Sequence, residues 1–356
     1  MSKVIVGMSG GVDSSVTAHL LKERGLVVEG ISFILWEARN RGNFTACCSL
    51  EATDGAAKTA ACIGIRHESV DVRGEFIEKV IEPFVDAYLR GLTPNPCILC
   101  NRHIKFPFLL REAEKTGAEF IATGHYARVE RNTTDGIVRL RKGVDPSKDQ
   151  SYVLYVLKKE ERERLVLPLG DHYKKDVRQI ARELRLAAAD RPESQEICFI
   201  EERNYSEFIE KLSSHPAEPG PIKDISGRDL GTHQGIFRYT LGQRKGLGIS
   251  SPEPYYVVKI DVPGNTVYVG SRDEALIREV FVDEMNWLLT RPAAPFRAHV
   301  KVRSMMEAKP ATVEPREEGV RVVFDEPQWP PSAGQSAVLY DEDDTVISGG
   351  IITSCQ

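Results

Sequence analysis

Four short apolar runs, Val4 to Met8, Val27 to Leu35, Glu68 to Val72 and Phe120 to Thr123, recur through the first 200 residues with amphipathic stretches between them. These runs read as strands. Strands alternating with helical periodicity predict an α/β domain with a parallel sheet. Val16, Leu20 and Leu21 give the first helix an apolar face, a second helix is predicted over Ala52 to Ile63, and a third begins near Arg102.

Beyond Cys198 the texture changes. Pro216, Pro219, Gly220 and Pro221 punctuate the chain, and short β-rich runs follow at Tyr255 to Ile260 and Thr266 to Val269. Such clusters of turn residues mark boundaries, so one is expected near residue 205. From about Val280, runs such as Ala298 to Val302, Gly319 to Phe324 and Ser336 to Leu339 are separated by turn residues, the pattern of a small β-barrel. The expected organisation is an α/β domain over 1–204, a small central domain over 205–275 and a C-terminal β-barrel over 276–356.

With 356 residues, the chain is long enough for two or three domains with ample cores. Hydrophobic residues make up 41%, yet no run approaches the roughly 20 apolar residues of a membrane span. Met1-Ser2-Lys3 leads straight into a strand-like run without signal-peptide order, so a cytoplasmic location with no membrane partner is expected. In a reducing compartment the seven cysteines read as thiols, metal ligands or catalytic groups rather than a disulfide framework. A net charge of −5 excludes coating of nucleic acid through bulk positive charge, so any such contact must use local patches. One stretch, Arg139 to Arg185, carries 13 Lys/Arg against 8 Asp/Glu; it reads equally as a solvated helical surface.

The strongest local signal is Gly7-Met8-Ser9-Gly10-Gly11-Val12-Asp13-Ser14-Ser15, between the first strand and the first helix. Adjacent glycines permit close backbone approach, successive N–H groups can face phosphate oxygens, and the helix N-terminus adds partial positive charge. The lysine of the P-loop and the spacing of the dinucleotide fingerprint are both missing. The string Ser-Gly-Gly-Val-Asp-Ser-Ser instead resembles the pyrophosphatase loop of enzymes that split ATP into AMP and pyrophosphate, where Asp13 would help hold Mg²⁺. The plainer reading is a Gly-Ser turn at a helix start.

Thr93 to Asn101 carries Cys97 and Cys100, a Cys-x-x-Cys pair open to a redox, metal or catalytic-thiol reading. Ser194 to Ile200 carries Cys198, by itself most simply a core residue. Together with a nucleotide loop, Cys100 and Cys198 suit a sulfur relay, one thiol carrying a persulfide and the other resolving it. Cys47, Cys48 and Cys62 read as buried or incidental thiols.

These blocks, with Ala122 to Ala127, Lys148 to Tyr152, Tyr239 to Leu247 and Ala333 to Ala337, resemble the tRNA-specific 2-thiouridylases, which replace the C2 oxygen of the wobble uridine with sulfur. The likeness spans nearly the whole chain and implies an adenine-nucleotide-hydrolase-like parallel-sheet domain, a central tRNA-binding domain and a β-barrel. It also implies ATP contacts at Gly7, Met8, Ser9, Gly10, Gly11, Val12, Asp13 and Ser14, with Phe33 and Gly124 near the adenine. Cys100 resembles the family's nucleophile and Cys198 its persulfide carrier, with Asn95, Pro96 and Cys97 against the target base. By the same resemblance His125, Lys148, Asp149, Gln150, Arg303, Ser304 and Gln335 touch tRNA, with ordinary surface or capping polarity the plainer reading of His125 and Gln335.

The commonest family loop has Asp-x-x-Cys, where this chain has Cys97-Ile98-Leu99-Cys100. Cys97, Cys100 and Cys198 would suffice to hold a [4Fe-4S] cluster with one open iron, as in some other tRNA thiolases. The expected cofactors are therefore ATP, Mg²⁺ and, on that second route, the cluster. The resemblance implies wobble-uridine tRNAs of the lysine, glutamate and glutamine type as substrates, and a cysteine desulfurase or relay protein as sulfur donor. A uracil C2 carbonyl is a poor electrophile, and adenylation would make its oxygen a leaving group; the enzyme is then a sulfurtransferase, and its two thiols end as a Cys100–Cys198 disulfide or release sulfide. Two other functions use parts of the same sequence: an amidating or ligating ATP pyrophosphatase acting on a small carbonyl compound, and a non-catalytic tRNA-binding protein.

Overall fold

Lys3–Gly7 (β1) is the central strand because both of its faces are apolar. Val4 and Val6 pack with Ala18, Leu21, Ala56 and Ala60 on one side, while Leu109 lies 3.4 Å from where a Cβ on Gly7 would stand on the other. In the computed structural model, β1 pairs in parallel with Val27–Ile34 (β2) and with Phe120–Ala122 (β4). Arg66–Asp71 (β3) and Leu165–Val166 (β7) complete a sheet of order β3-β2-β1-β4-β7. Ala127–Arg131 (β5) and Val138–Lys142 (β6) form a separate hairpin. Residues 1–36, 50–131, 136–186, 188–189, 197–200, 205–213 and 217–356 are described, without the side chains of 50–52.

Val12–Glu23 (α1) and Leu50–Ile63 (α2) cover one face of this sheet. The exposed side of α2 holds Cys62, the incidental rather than the buried thiol of the two readings; the helix buries Ala56, Thr59 and Ala60. Arg73–Phe76 (α3) runs through a π-helical turn at 77–81 into Glu82–Leu89 (α4). Pro96–Cys100 (α5), a second π-helical turn at 101–105 and Phe106–Thr116 (α6) follow as one rod. The helix expected from Arg102 therefore begins six residues earlier, at Pro96, whose fixed φ and missing N–H suit a helical first turn. Lys159–Arg164 (α7) and Lys174–Glu183 (α8) complete the layer.

The chain divides into two units, and they interleave. The first comprises Met1–Ile81, Pro96–Glu201 and Asp344–Val346; the second comprises Glu82–Asn95, Glu202–Asp343 and Ile347–Gln356. Within the second, Gly220–Asp224 (β8), Asp229–His233 (β9), Tyr256–Asp261 (β10) and Thr266–Gly270 (β11) form a sheet of order β10-β11-β8-β9 over Ile222, Val257, Val267 and Val269. Tyr205–Leu212 (α9) stands beside α4, with the Tyr205 and Tyr88 rings tilted by 33° and their centroids 4.7 Å apart.

The remaining strands are Ile277–Trp287 (β12), Phe296–Lys301 (β13), Lys309–Pro315 (β14), Val320–Gln328 (β15), Ser336–Tyr340 (β16) and Val346–Cys355 (β17). They close into a six-stranded barrel of order β12-β15-β14-β13-β16-β17. Alternate side chains, among them Val280, Val282, Val300, Val322 and Phe324, fill its interior, and closure leaves no unpaired edge. Among the described residues no helix is long and apolar enough to cross a membrane.

Candidate active site

The chain leaves β1 for β2 and β3 on one side of the sheet and returns to β4 on the other. Between β1 and β4, at the carboxyl ends of the strands, lies the crevice where open α/β sheets hold ligands. The loop Gly7–Gly11 sits there. Gly10 has φ +73°, a left-handed conformation that a side chain strains. Ser14 Oγ accepts from the Ser9 N–H at 3.1 Å, and Ser15 Oγ donates to the Gly11 carbonyl at 2.7 Å. No side chain caps the first turn of α1, so its amides face the crevice as an anion cradle.

Gly124 closes this cradle from the β4 side. A Cβ there would lie 2.8 Å from the Ser14 nitrogen and 2.9 Å from the Asp13 carbonyl carbon. Both are backbone atoms that cannot swing aside. Gly124→Ala should therefore push the loop out of shape and weaken ATP binding by roughly tenfold or more, the scale of one lost well-made contact. Isothermal titration with ATP checks this; unchanged affinity would show that the close approach does not matter. Phe33 is buried, edge-on to Phe108 at 6.2 Å, so its ring is part of the packing beneath the crevice. Met8 is likewise buried.

Asp13 lies in the first turn of α1 and is engaged from two directions. Lys174 Nζ donates to both carboxylate oxygens at 2.7 Å, and the Tyr126 hydroxyl donates to Oδ1 at 2.8 Å. Lys174 is buried and opens α8, its amide donating to Asp145 Oδ2 at 2.9 Å. Asp145 is held below the usual carboxylate range by that amide and by the hydroxyl and amide of Ser147, which outweigh the opposing effect of its burial. Asp13 is thus the partner of a lysine rather than an open cation ligand. The carboxylate that the loop offers for Mg²⁺ is held by Lys174 and Tyr126 in this arrangement.

Cys100 is buried at the end of α5, and Cys97, one turn earlier, is exposed. Asn101, the next residue, donates its amide to the Val153 carbonyl at 2.9 Å and anchors the π-helical turn. Cys198 is half-buried, and its neighbour Phe199 packs edge-on against Phe76 at 5.7 Å. Phe76 ends α3, and the π-helical turn that follows it packs against α5.

Among the described residues no three His, Cys, Asp or Glu side chains gather to hold a metal ion; Cys97 is exposed, Cys100 buried and Cys198 half-buried. Cys47, Cys48, Ser194, Gln195 and Glu196 lie outside the described residues.

Of the residues expected to touch tRNA, His125 is buried, Lys148, Asp149, Gln150, Arg303 and Gln335 are half-buried and Ser304 is exposed. His125 is buried, stacked on Phe106 at 5.9 Å, with Nδ1 2.7 Å from Thr123 Oγ1. Burial, with the Lys105 charge adding to it, lowers its pKa to about 3, so it is a neutral packing residue in this arrangement. Asp149 accepts from the amides of Gly143 and Ser151, and Gln150 from the amide of Tyr126. Arg303 donates to the carbonyls of Leu241 and Pro330, and Gln335 donates to the Thr93 carbonyl at 3.0 Å.

The basic stretch 139–185 is also largely committed. Arg141 pairs with Glu130, Lys142 with Asp344, and Lys174 with Asp13. Arg162 and Arg164 donate to backbone carbonyls. Lys301 is buried. Sequence reasoning missed Lys174 and Tyr126 as site residues; Tyr126 lay inside a block already singled out, whereas nothing local marked Lys174.

Residues 2–202 match the family model described as the tRNA methyl transferase HUP domain. Residues 206–271 match its PRC-barrel domain and 277–352 an aminomethyltransferase beta-barrel domain. Fold and site thus define a HUP-type nucleotide-binding domain followed by two β-rich domains. A tRNA-specific 2-thiouridylase MnmA 2 of Thermoanaerobacter sp. (strain X514) is 45% identical over 99% of this chain and 98% of its own. The corresponding proteins of Clostridioides difficile (strain 630) and Carboxydothermus hydrogenoformans are 42% and 43% identical, each over 98% of this chain, and over 98% and 97% of their own. The chain belongs to the tRNA-specific 2-thiouridylase family.

Proposed function

We propose that this protein is an ATP-dependent tRNA-uridine 2-sulfurtransferase that makes 2-thiouridine at the wobble position. The observation that carries this reading is that the phosphate loop at Gly7–Ser14 and both thiols, Cys100 and Cys198, belong to one folded unit of a chain in this family. Methyl transfer would need neither the loop nor the thiols. The division at 1–204, 205–275 and 276–356 is read as catalytic, central tRNA-binding and barrel domains, with tRNAs of the lysine, glutamate and glutamine type as substrates in the cytoplasm.

In this reading ATP lies over Gly7–Ser14 with its adenine toward Phe33 and Gly124, and Mg²⁺ accompanies the phosphates as their counter-ion. The uridine, unstacked from the anticodon and seated against Asn95, Pro96 and Cys97, presents O2 to the α-phosphorus. The new P–O bond forms as pyrophosphate leaves, its charge met by the amides of α1. A donor persulfide transfers its outer sulfur to Cys198 and departs as a thiol. The terminal sulfur of Cys198 attacks C2 and AMP leaves with the former O2, linking C2 to Cys198 through two sulfurs. Cys100 thiolate then attacks Cys198 Sγ, releasing thiouridine and forming the Cys100–Cys198 disulfide, which a cellular thiol reduces. Of the expected RNA contacts, Lys148 and Ser304 are retained as direct ones, while His125, Asp149, Gln150, Arg303 and Gln335 set the shape of the segments that bear them.

The test is incubation with unmodified tRNA, ATP, Mg²⁺ and a persulfide donor, followed by nucleoside mass analysis. One O-to-S exchange with one pyrophosphate released per thiouridine is expected. Pyrophosphate release without thiouridine would overturn the reading.

A further inference from the structure

The −5 net charge and the internal pairing of the 139–185 stretch leave open where this chain meets a polyanion. A local answer lies beside the thiols. Lys79 lies on the π-helical turn 77–81, while Arg102 and His103 lie on the turn 101–105 directly after Cys100. These two turns pack against each other, and α5 packs against the first. Lys158 caps α7, which packs against α6, the continuation of the second turn. The positive charges of Arg102, Lys79 and Lys158 all act on His103 and, with its partial burial, hold it below the ordinary imidazole value.

Lys79 and Lys158 are exposed, and Arg102 and His103 are half-buried. Among the described residues no carboxylate is ion-paired with Lys79 or Lys158. Glu161 bonds the Lys158 amide and Glu163 pairs with Lys159, which leaves Glu78 and Glu160 as the remaining acids on these two elements. The Lys79 and Lys158 charges, both acting on His103, cost free energy side by side unless an anion joins them.

We infer that Lys79, Arg102, His103 and Lys158 form a seat for the phosphodiester backbone of the RNA substrate beside Cys100. The inference rests on the proposed function and assigns it a docking surface. Phosphate contacts hold register without reading sequence. A seat directly after Cys100 would fix the nucleotides flanking the target uridine and leave its base to the thiol segment.

The experiment measures tRNA affinity of the full chain across a salt series for the wild type, Lys79→Glu/Lys158→Glu and the milder Lys79→Gln/Lys158→Gln. ATP affinity and thermal midpoint serve as folding controls. For the Glu pair, affinity at low salt should fall by roughly tenfold or more, and the slope of log K against log salt should lose about 1.5, with a smaller loss of affinity for the Gln pair. Unchanged affinity and slope in both variants would overturn the seat. Unchanged tRNA binding with lost sulfur delivery from the donor protein would assign the cations to an acidic protein face and overturn it too. A wild type with no salt-dependent tRNA binding would instead remove the proposed function on which the seat rests.

Discussion

Replacing Cys100 with serine is expected to lower 2-thiouridine formation by at least about 10³-fold while leaving ATP affinity unchanged, because a hydroxyl at neutral pH does not attack a disulfide sulfur. Cys100 is 5% exposed, and serine is nearly isosteric, so the fold should tolerate the change. The variant should also trap the step before resolution, with tRNA linked to Cys198 through C2 and two sulfurs. Non-reducing gel electrophoresis would show this as a band released by a thiol reductant. Cys198→Ser should be equally inactive and form no adduct, and the double variant should be no worse than either single one, since the two thiols act as a unit. Cys97→Ser is the contrast. Cys97 is placed against the target base and outside the relay, so Cys97→Ser should raise KM for tRNA severalfold at most and leave the sulfur-transfer step at the wild-type rate. A fully active Cys198→Ser enzyme would dispose of the persulfide route, and an inactive, iron-dependent Cys97→Ser pair of results would revive a cluster.

The parallel sheet was legible because β1 and β2 are apolar on both faces, and a two-residue error at a strand end changes no face. The barrel was legible for a related reason: its strands alternate inward and outward residues, and turn residues separate them. The helical rod 96–116 was harder. It contains Asn95-Pro96 at its start and a π-helical turn in the middle, and neither leaves a 3.6-residue period to follow. The segment Glu82–Asn95 belongs with the C-terminal unit, a long-range affiliation that no local composition announces. Charge was the least legible property. The excess over 139–185 suggested a surface, but Arg141, Lys142 and Lys174 close ion pairs with Glu130, Asp344 and Asp13, whereas Lys79, Arg102, His103 and Lys158 are scattered over three segments.

Lys174 shows the same limit inside the site, for it meets Asp13 from 161 positions away. Lys174→Ala is expected to reduce thiolation by about 10²- to 10³-fold, the scale set by removing one preorganised group from a charge-developing transition state. The pair can be read as a clamp that fixes the first turn of α1, or as a charge poised to follow the leaving pyrophosphate. Both require the ammonium to be within reach of the loop, which the two 2.7 Å contacts establish. They differ in what else changes. A clamp alone predicts that Lys174→Ala loses ATP affinity and kcat together, and that Asp13→Asn does the same. A charge on the leaving group predicts a fall in kcat with ATP affinity held, partial rescue by Lys174→Arg, and no rescue by the neutral isostere Lys174→Met. The stability cost should be modest in either case, about 1–3 kcal/mol, because the Asp13 side chain is 34% exposed and water can replace part of the pairing. Single-turnover pyrophosphate release measured at saturating ATP separates the two, and wild-type release by Lys174→Ala would remove the lysine from the chemistry.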